Sequence, residues 1–255
     1  MTITIETKRH KPPRITLYGV HGLGKSTFGS LAPSPIFLQT EDGLDSLDVP
    51  AFPLAKSYAQ VMDYLGQLAT EDHEYKTLVV DTLDWLEPLI WGQVCEEHNV
   101  KSIDEIGYGK GFSFALDIWS EYINAVNYLR DEKDMMVIQL AHSHVKRFEN
   151  PETESYDRYE LKLNAKAASK VLEHSDIVLF GNYYTAVKKE KEGMKDRKRA
   201  VGSGERILYT SERPAATAKN RYNLPKEIPF DIDGDYWNVI AEHIPYFNNS
   251  KRKDE

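Results

Sequence analysis

The densest chemistry in this 255-residue chain lies in Gly19-Val-His-Gly-Leu-Gly24-Lys25-Ser26, which has the spacing of a phosphate-binding loop. Glycines let successive backbone N–H groups turn inward on a phosphate at a helix N-terminus, and a lysine adds a point charge reaching the β and γ positions. The candidates for holding a nucleotide are therefore Gly19, His21, Gly22, Leu23, Gly24, Lys25, Ser26 and Thr27. Ser26 is the hydroxyl that would ligate Mg2+. Asp81, directly after the apolar run Thr77-Leu-Val-Val80, is the second candidate for the metal, although an Asp at a strand end can also be a helix cap. Glu41 and Asp42 end another apolar run, where a carboxylate can polarise an attacking water or simply sit in a solvated turn.

A phosphate loop works only between a strand and a helix, and the flanking pattern predicts both. Residues 15–18 read as a buried strand, 35–40 as a second, and 77–80 as a third. Ser57 with Gln60 makes a capping-box start for a helix to about residue 69. Leu83, Leu86, Ile90 and Val94 recur at helical spacing, with Pro88 expected to bend or delay that helix. Ala115, Trp119, Tyr122, Val126 and Leu129 share one face of a helix of about 20 residues, which feeds a strand near 136–141. Residues 143–160 are polar and aperiodic, and read as a mobile loop. Residues 165–174 form a helix capped by Asn164, 177–187 and 206–210 favour strand, and a last helix begins near Asp235. This alternation predicts an α/β fold, with a mostly parallel central sheet flanked by helices and a C-terminal β-hairpin. The expected organisation is an N-terminal arm at 1–13, one domain at 14–245 and a flexible tail at 246–255.

Composition narrows the partners. With 32 basic and 40 acidic residues the net charge is -8, so contact with nucleic acid must be local. The local candidate is the hairpin tip. There Lys188, Lys189, Lys191, Lys195, Arg197, Lys198 and Arg199 outnumber the acids, and Tyr183 and Tyr184 stand nearby; such a tip either binds phosphates or is solvated. No apolar run approaches the ~18 to 20 residues of a membrane span, and no secretory signal is expected. Cys95 is a lone thiol among apolar residues, which fits a reducing, cytoplasmic setting and a packing role. His142 and His144 lack a third ligand nearby, and Asp231, Asp233 and Asp235 have calcium-loop spacing but Tyr236 where glycine is required. The absence of Asn-Lys-x-Asp favours an adenine over a guanine nucleotide.

A phosphate loop on the first strand, Thr40-Glu41 ending the second, Asp81 ending the third and His142 ending the fourth resemble the core of RecA-type ATPases. Tyr108-Gly-Lys-Gly111 and Ala218-Lys-Asn-Arg-Tyr-Asn-Leu-Pro225 resemble the phage-encoded, core-only members that act as single-strand annealing recombinases. The resemblance covers about residues 14–230 and implies ATP with Mg2+ as cofactors, a catalytic Glu41 and His142 as γ-phosphate sensor. It also implies that Lys219 and Arg221 reach a neighbouring subunit's nucleotide, and that the segment 143–159 lies near DNA. The implied partners are single-stranded DNA, further copies of the chain in a ring or filament, and a single-strand-binding protein. The rival reading is a nucleotide-gated adaptor or loader that holds a replication or recombination protein.

Overall fold

The computed structural model describes residues 10–152, 154–192, 195–231 and 235–250, the side chains of 185–203 and 249–250 excepted. In chain order the elements are β1 (Arg14–Gly19), α1 (Lys25–Ser30), β2 (Pro35–Gln39), α2 (Tyr58–Thr70), β3 (Thr77–Asp81), α3 (Leu83–His98), α4 (Lys110–Glu132), β4 (Met136–Phe148), β5 (Tyr156–Leu161) and α5 (Ala165–His174). They continue with β6 (Ile177–Glu192), β7 (Lys195–Tyr209), β8 (Lys219–Asn220), β9 (Glu227–Pro229), α6 (Tyr236–His243) and α7 (Pro245–Ser250).

The main path of the sheet runs β2-β3-β4-β1-β6-β7-β9. Its first five strands are parallel, and β7 and β9 are antiparallel. The fold is thus α/β with a mostly parallel sheet between helices. Because β4 lies between β1 and β3, the register sets Gly19 beside His142, Leu140 beside Asp81, and Asp81 beside Gln39. The carboxyl ends of four strands therefore form one continuous rim. In parallel sheets, that rim is where ligands bind.

Alternation along each strand builds two cores. Tyr18, Leu38, Leu78 and Val80 face α2, α3, α4 and α5, whereas Ile15, Leu17, Phe37 and Val79 face α1, α6 and α7. Trp119, Tyr122, Val126 and Leu129 bury the predicted face of α4 in the first core. On the opposite face Phe28 stacks on Tyr236, and Trp237 Nε1 donates to the Phe28 carbonyl at 2.9 Å, fixing the end of α1. The caps form as expected: Ser57 Oγ accepts from Gln60 N and Asn164 Oδ1 from Lys166 N.

Three expectations need correction. Residues 143–160 are not a loop: β4 continues to Phe148 and pairs antiparallel with β5, Ser143 opposite Leu161. Arg158 anchors this hairpin through Glu212 at 2.7 Å and Thr217 at 2.6 Å, and Lys162 N closes its base on the His142 carbonyl. Pro88 does not delay α3, which already begins at Leu83 and continues to His98. Residues 245–250 form α7 rather than a tail, with Tyr246 and Phe247 packed on the second core. Residues 1–9 of the expected arm and 251–255 of the tail lie outside the described residues, as do the side chains of the basic stretch 188–199.

Candidate nucleotide site

The phosphate loop is shaped by positions that accept no side chain. Gly22 and Gly24 have φ of 70° and 99°, left-handed values that cost other residues energy. Gly19 and Gly181 are register partners on β1 and β6. A Cβ on Gly19 would lie 2.3 Å from the Gly181 carbonyl oxygen, and one on Gly181 would lie 2.1 Å from Leu23 Cδ2. Leu23 is fully buried over these two glycines, so its side chain supports the loop from beneath while its backbone belongs to the phosphate cradle. Tyr183 Oη donates to the Gly22 carbonyl at 2.9 Å and braces the loop from β6.

Beside this loop opens a cleft of about 420 Å3, bordered by Lys25, Ser26, Thr27, Glu41, Asp81 and His142, together with His21, Gly22 and Gly24. Lys25 Nζ donates to the Val20 carbonyl at 3.2 Å. Burial lowers its pKa, against the pull of Asp81, Asp84 and Glu41. Ser26 Oγ donates to Asp81 Oδ2 at 2.6 Å. The hydroxyl and carboxylate thus converge on one point, a pair of hard oxygen donors that suits Mg2+ completed by water and phosphate oxygens. Burial raises the Asp81 carboxyl above its usual range, opposed chiefly by the Ser26 hydrogen bond. A cation in the cleft would reverse that direction.

Glu41 stands across the cleft, held from β3. Its backbone N–H, like that of Thr40, donates to the Asp81 carbonyl, and its Oε2 accepts from Thr82 Oγ1 at 3.2 Å. Asp42 is exposed and does not border the cleft. His142 Nδ1 lies 3.8 Å from Glu41 Oε2 and 2.9 Å from Asp84 Oδ2, and its ring stacks on His21 at 4.0 Å. The charge on His142 is the main cause lowering the His21 pKa, followed by burial and Lys25. Two adjacent imidazoles thus resist being charged together.

Lys219 and Arg221 do not join this cleft in the same protomer. β8 pairs with the start of β6, Asn220 opposite Ile177, at the edge of the sheet remote from Gly19 and Gly181. Lys219 Nζ donates to the carbonyls of Leu172 and Glu173, and Arg221 joins Arg14 and Arg130 around Asp176. Among the described residues no group of three His, Cys, Asp or Glu could hold a metal ion. Two contributors carried no mark in the sequence. Asp84 looks like an acid matched to the first turn of α3, and Thr82 like an N-cap.

A phosphate loop at the end of β1, a lysine and serine opening α1, and an acid ending β3 beside them define a P-loop nucleoside triphosphatase. Residues 11–222 match the AAA domain family, and the chain belongs to it. The family binds and hydrolyses nucleotides. The chain is also similar to SPbeta prophage-derived uncharacterized protein YorG of Bacillus subtilis (strain 168), 26% identical over 172 residues, which cover 65% of this chain and 49% of that protein. The chain thus spans about half the length of the curated relative it matches. Among the described residues, no helix is long and apolar enough to cross a membrane.

Proposed function

We propose that the chain binds ATP with Mg2+, hydrolyses it, and uses the cycle to promote annealing or recombination of single-stranded phage DNA. The carrying observation is the convergence of Lys25, the Ser26–Asp81 pair, Glu41 and His142 on one cleft. In this reading Lys25 neutralises the β and γ oxygens, and Ser26 and Asp81 hold the metal, which supplies charge neutralisation when bound. Glu41, held by Thr82, orients and deprotonates the attacking water, and His142 meets the terminal phosphate. The prophage origin in the relative's name supports a phage setting, and the resemblance to core-only annealing proteins supports the DNA substrate.

Lys219 and Arg221 face away from their own cleft, so any role at a nucleotide requires a second copy, in a ring or filament. Mixing Lys25→Ala and Arg221→Ala chains, each inactive alone, restores turnover if hydrolysis is completed in trans.

One observation favours the second reading, a nucleotide-gated adaptor for a replication or recombination protein. On the hairpin beyond His142, Lys146, Arg147 and Arg158 are outnumbered by Glu149, Glu152, Glu154, Asp157 and Glu160. Lys146 pairs with Glu160 at 3.5 Å and Arg147 approaches Asp157 at 4.0 Å. Such a surface attracts phosphates poorly, which moves the DNA contact to the basic stretch 188–199. Annealing of complementary single strands, followed with and without ATP, separates the readings. ATP-dependent annealing with DNA-stimulated turnover supports the first; slow hydrolysis indifferent to DNA supports the adaptor.

A further inference from the structure

Asp84 sits in the first turn of α3 with its side chain 2% exposed, and both of its oxygens engage His142, with the Thr82 hydroxyl as a further partner. Oδ1 accepts from the His142 backbone N–H at 2.9 Å, and Oδ2 pairs with His142 Nδ1 at 2.9 Å. Burial pushes the Asp84 carboxyl upward, but the bonds from the His142 ring and backbone outweigh it, and the group lies below the usual carboxylate range. An ionised carboxylate only accepts hydrogen bonds, so Nδ1 must carry the hydrogen. His142 borders the cleft and Asp84 does not. The ring edge turned to the cleft is therefore the one that holds Nε2.

The ring has a second restraint. His21, from the phosphate loop, stacks on its face at 4.0 Å with 22° between the planes. The charged groups around the imidazole are Asp84 from α3, Asp81 at the end of β3, Glu41 after β2, and Lys25 with His21 from the loop and α1. Of these, only Asp84 binds both the backbone and the ring of His142.

We propose that Asp84 is a positioning residue: it fixes His142 in one rotamer with the proton on Nδ1, so that Nε2 is the atom offered to the terminal phosphate of the nucleotide. The proposal deepens the reading above and rests on His142 meeting that phosphate. A neutral ring in this tautomer presents a bare lone pair to a phosphate oxygen, and the two repel. Engagement requires a proton from solvent on Nε2, giving an imidazolium bridged between the phosphate and the Asp84 carboxylate. Asp84 is the counter-charge facing that imidazolium from its far side.

Substitution Asp84→Asn separates orientation from tautomer at constant volume. The amide oxygen keeps the His142 backbone N–H, which turns the NH2 group toward Nδ1 and drives the hydrogen to Nε2. Nitrogen-15 imidazole spectra of the full chain read this directly, without ATP turnover. The expected result is Nδ1–H in the neutral ring of the native chain and Nε2–H in the variant. The variant should also show an order of 10- to 100-fold lower kcat with a smaller change in KM, and a flattened pH profile. Nε2–H in the native chain, or an unchanged tautomer in the variant, overturns the proposal. If the variant does not fold, the native tautomer decides alone, with Nδ1–H for and Nε2–H against. Failure of the functional reading looks different: His142→Gln would leave turnover unchanged while the tautomer result stands.

Discussion

Gly181 belongs to no motif and lies 158 residues beyond Leu23 in the chain, yet the phosphate loop rests on it through Leu23. In Gly181→Ala the new Cβ would start 2.1 Å from Leu23 Cδ2, far inside contact distance, and 3.4 Å from Leu208 Cδ2. Leu23 is fully buried and must therefore move toward the loop backbone. Overpacking of this kind costs about 1 to 3 kcal/mol. If half of that strain is relieved by displacing the loop, ATP affinity falls by roughly 2- to 12-fold, since 1.4 kcal/mol is tenfold. Leu23→Ala alone leaves a cavity and costs about 2 to 5 kcal/mol. The double substitution removes the clash and partly fills the cavity, so its cost should fall short of the sum by about 1 to 2 kcal/mol. Urea unfolding of the four chains gives the stability coupling, and fluorescent-nucleotide titration gives the affinities. Additive stabilities with an unchanged affinity in Gly181→Ala would refute the claim that Leu23 transmits packing to the loop.

Glu41→Gln should keep ATP bound and slow its hydrolysis by about a hundredfold or more, while Asp42→Asn stays near native; steady-state phosphate release reports both, and the reverse order would mean that the exposed neighbour acts. Burial raises the Glu87 carboxyl to about 7, although both oxygens accept from Asn164 N. The folded chain then keeps a proton that the unfolded chain has lost, so stability should fall as pH rises from about 4.5 to 7, by up to about 3 kcal/mol. Glu87→Gln should abolish that slope in urea unfolding at pH 5 and pH 8, and an identical slope would rule Glu87 out as its source. Neutralising Lys188, Lys189, Lys195, Arg197 and Lys198 should weaken single-strand binding and reduce its salt dependence, each phosphate contact contributing roughly 0.7 to the slope. An unaltered slope would leave that stretch without a DNA role.

What the sequence made legible was local. The phosphate loop, the Ser57 and Asn164 caps and the α4 stripe each depend on neighbours within a few residues, and each forms where its pattern predicts. The hairpin beyond His142 was opaque because Lys146 and Arg147 pair with Glu160 and Asp157 across strands, which leaves no apolar alternation to read. The run of α3 through Pro88 depends on tertiary packing, with Leu83, Leu86, Ile90 and Val94 all fully buried. Asp84 was invisible for a different reason: its partner lies 58 residues away, and only the strand order β3-β4-β1 brings the two together. Gly181 is hidden in the same way, since a lone glycine in a strand says nothing of the Leu23 methyl above it.

Every role assigned to Ser26, Glu41, Asp81 and His142 depends on the cleft beside Lys25 being the nucleotide site. Its most direct test is calorimetric titration of the full chain with Mg2+ and a non-hydrolysable ATP analogue, native against Lys25→Ala, with circular dichroism confirming that both are folded. Removing the lysine takes away the charge on the β and γ oxygens and leaves both cores intact. The expected result is saturable binding at one site per chain in the native protein and its loss in the variant; equal binding by the two chains would show that the nucleotide sits elsewhere.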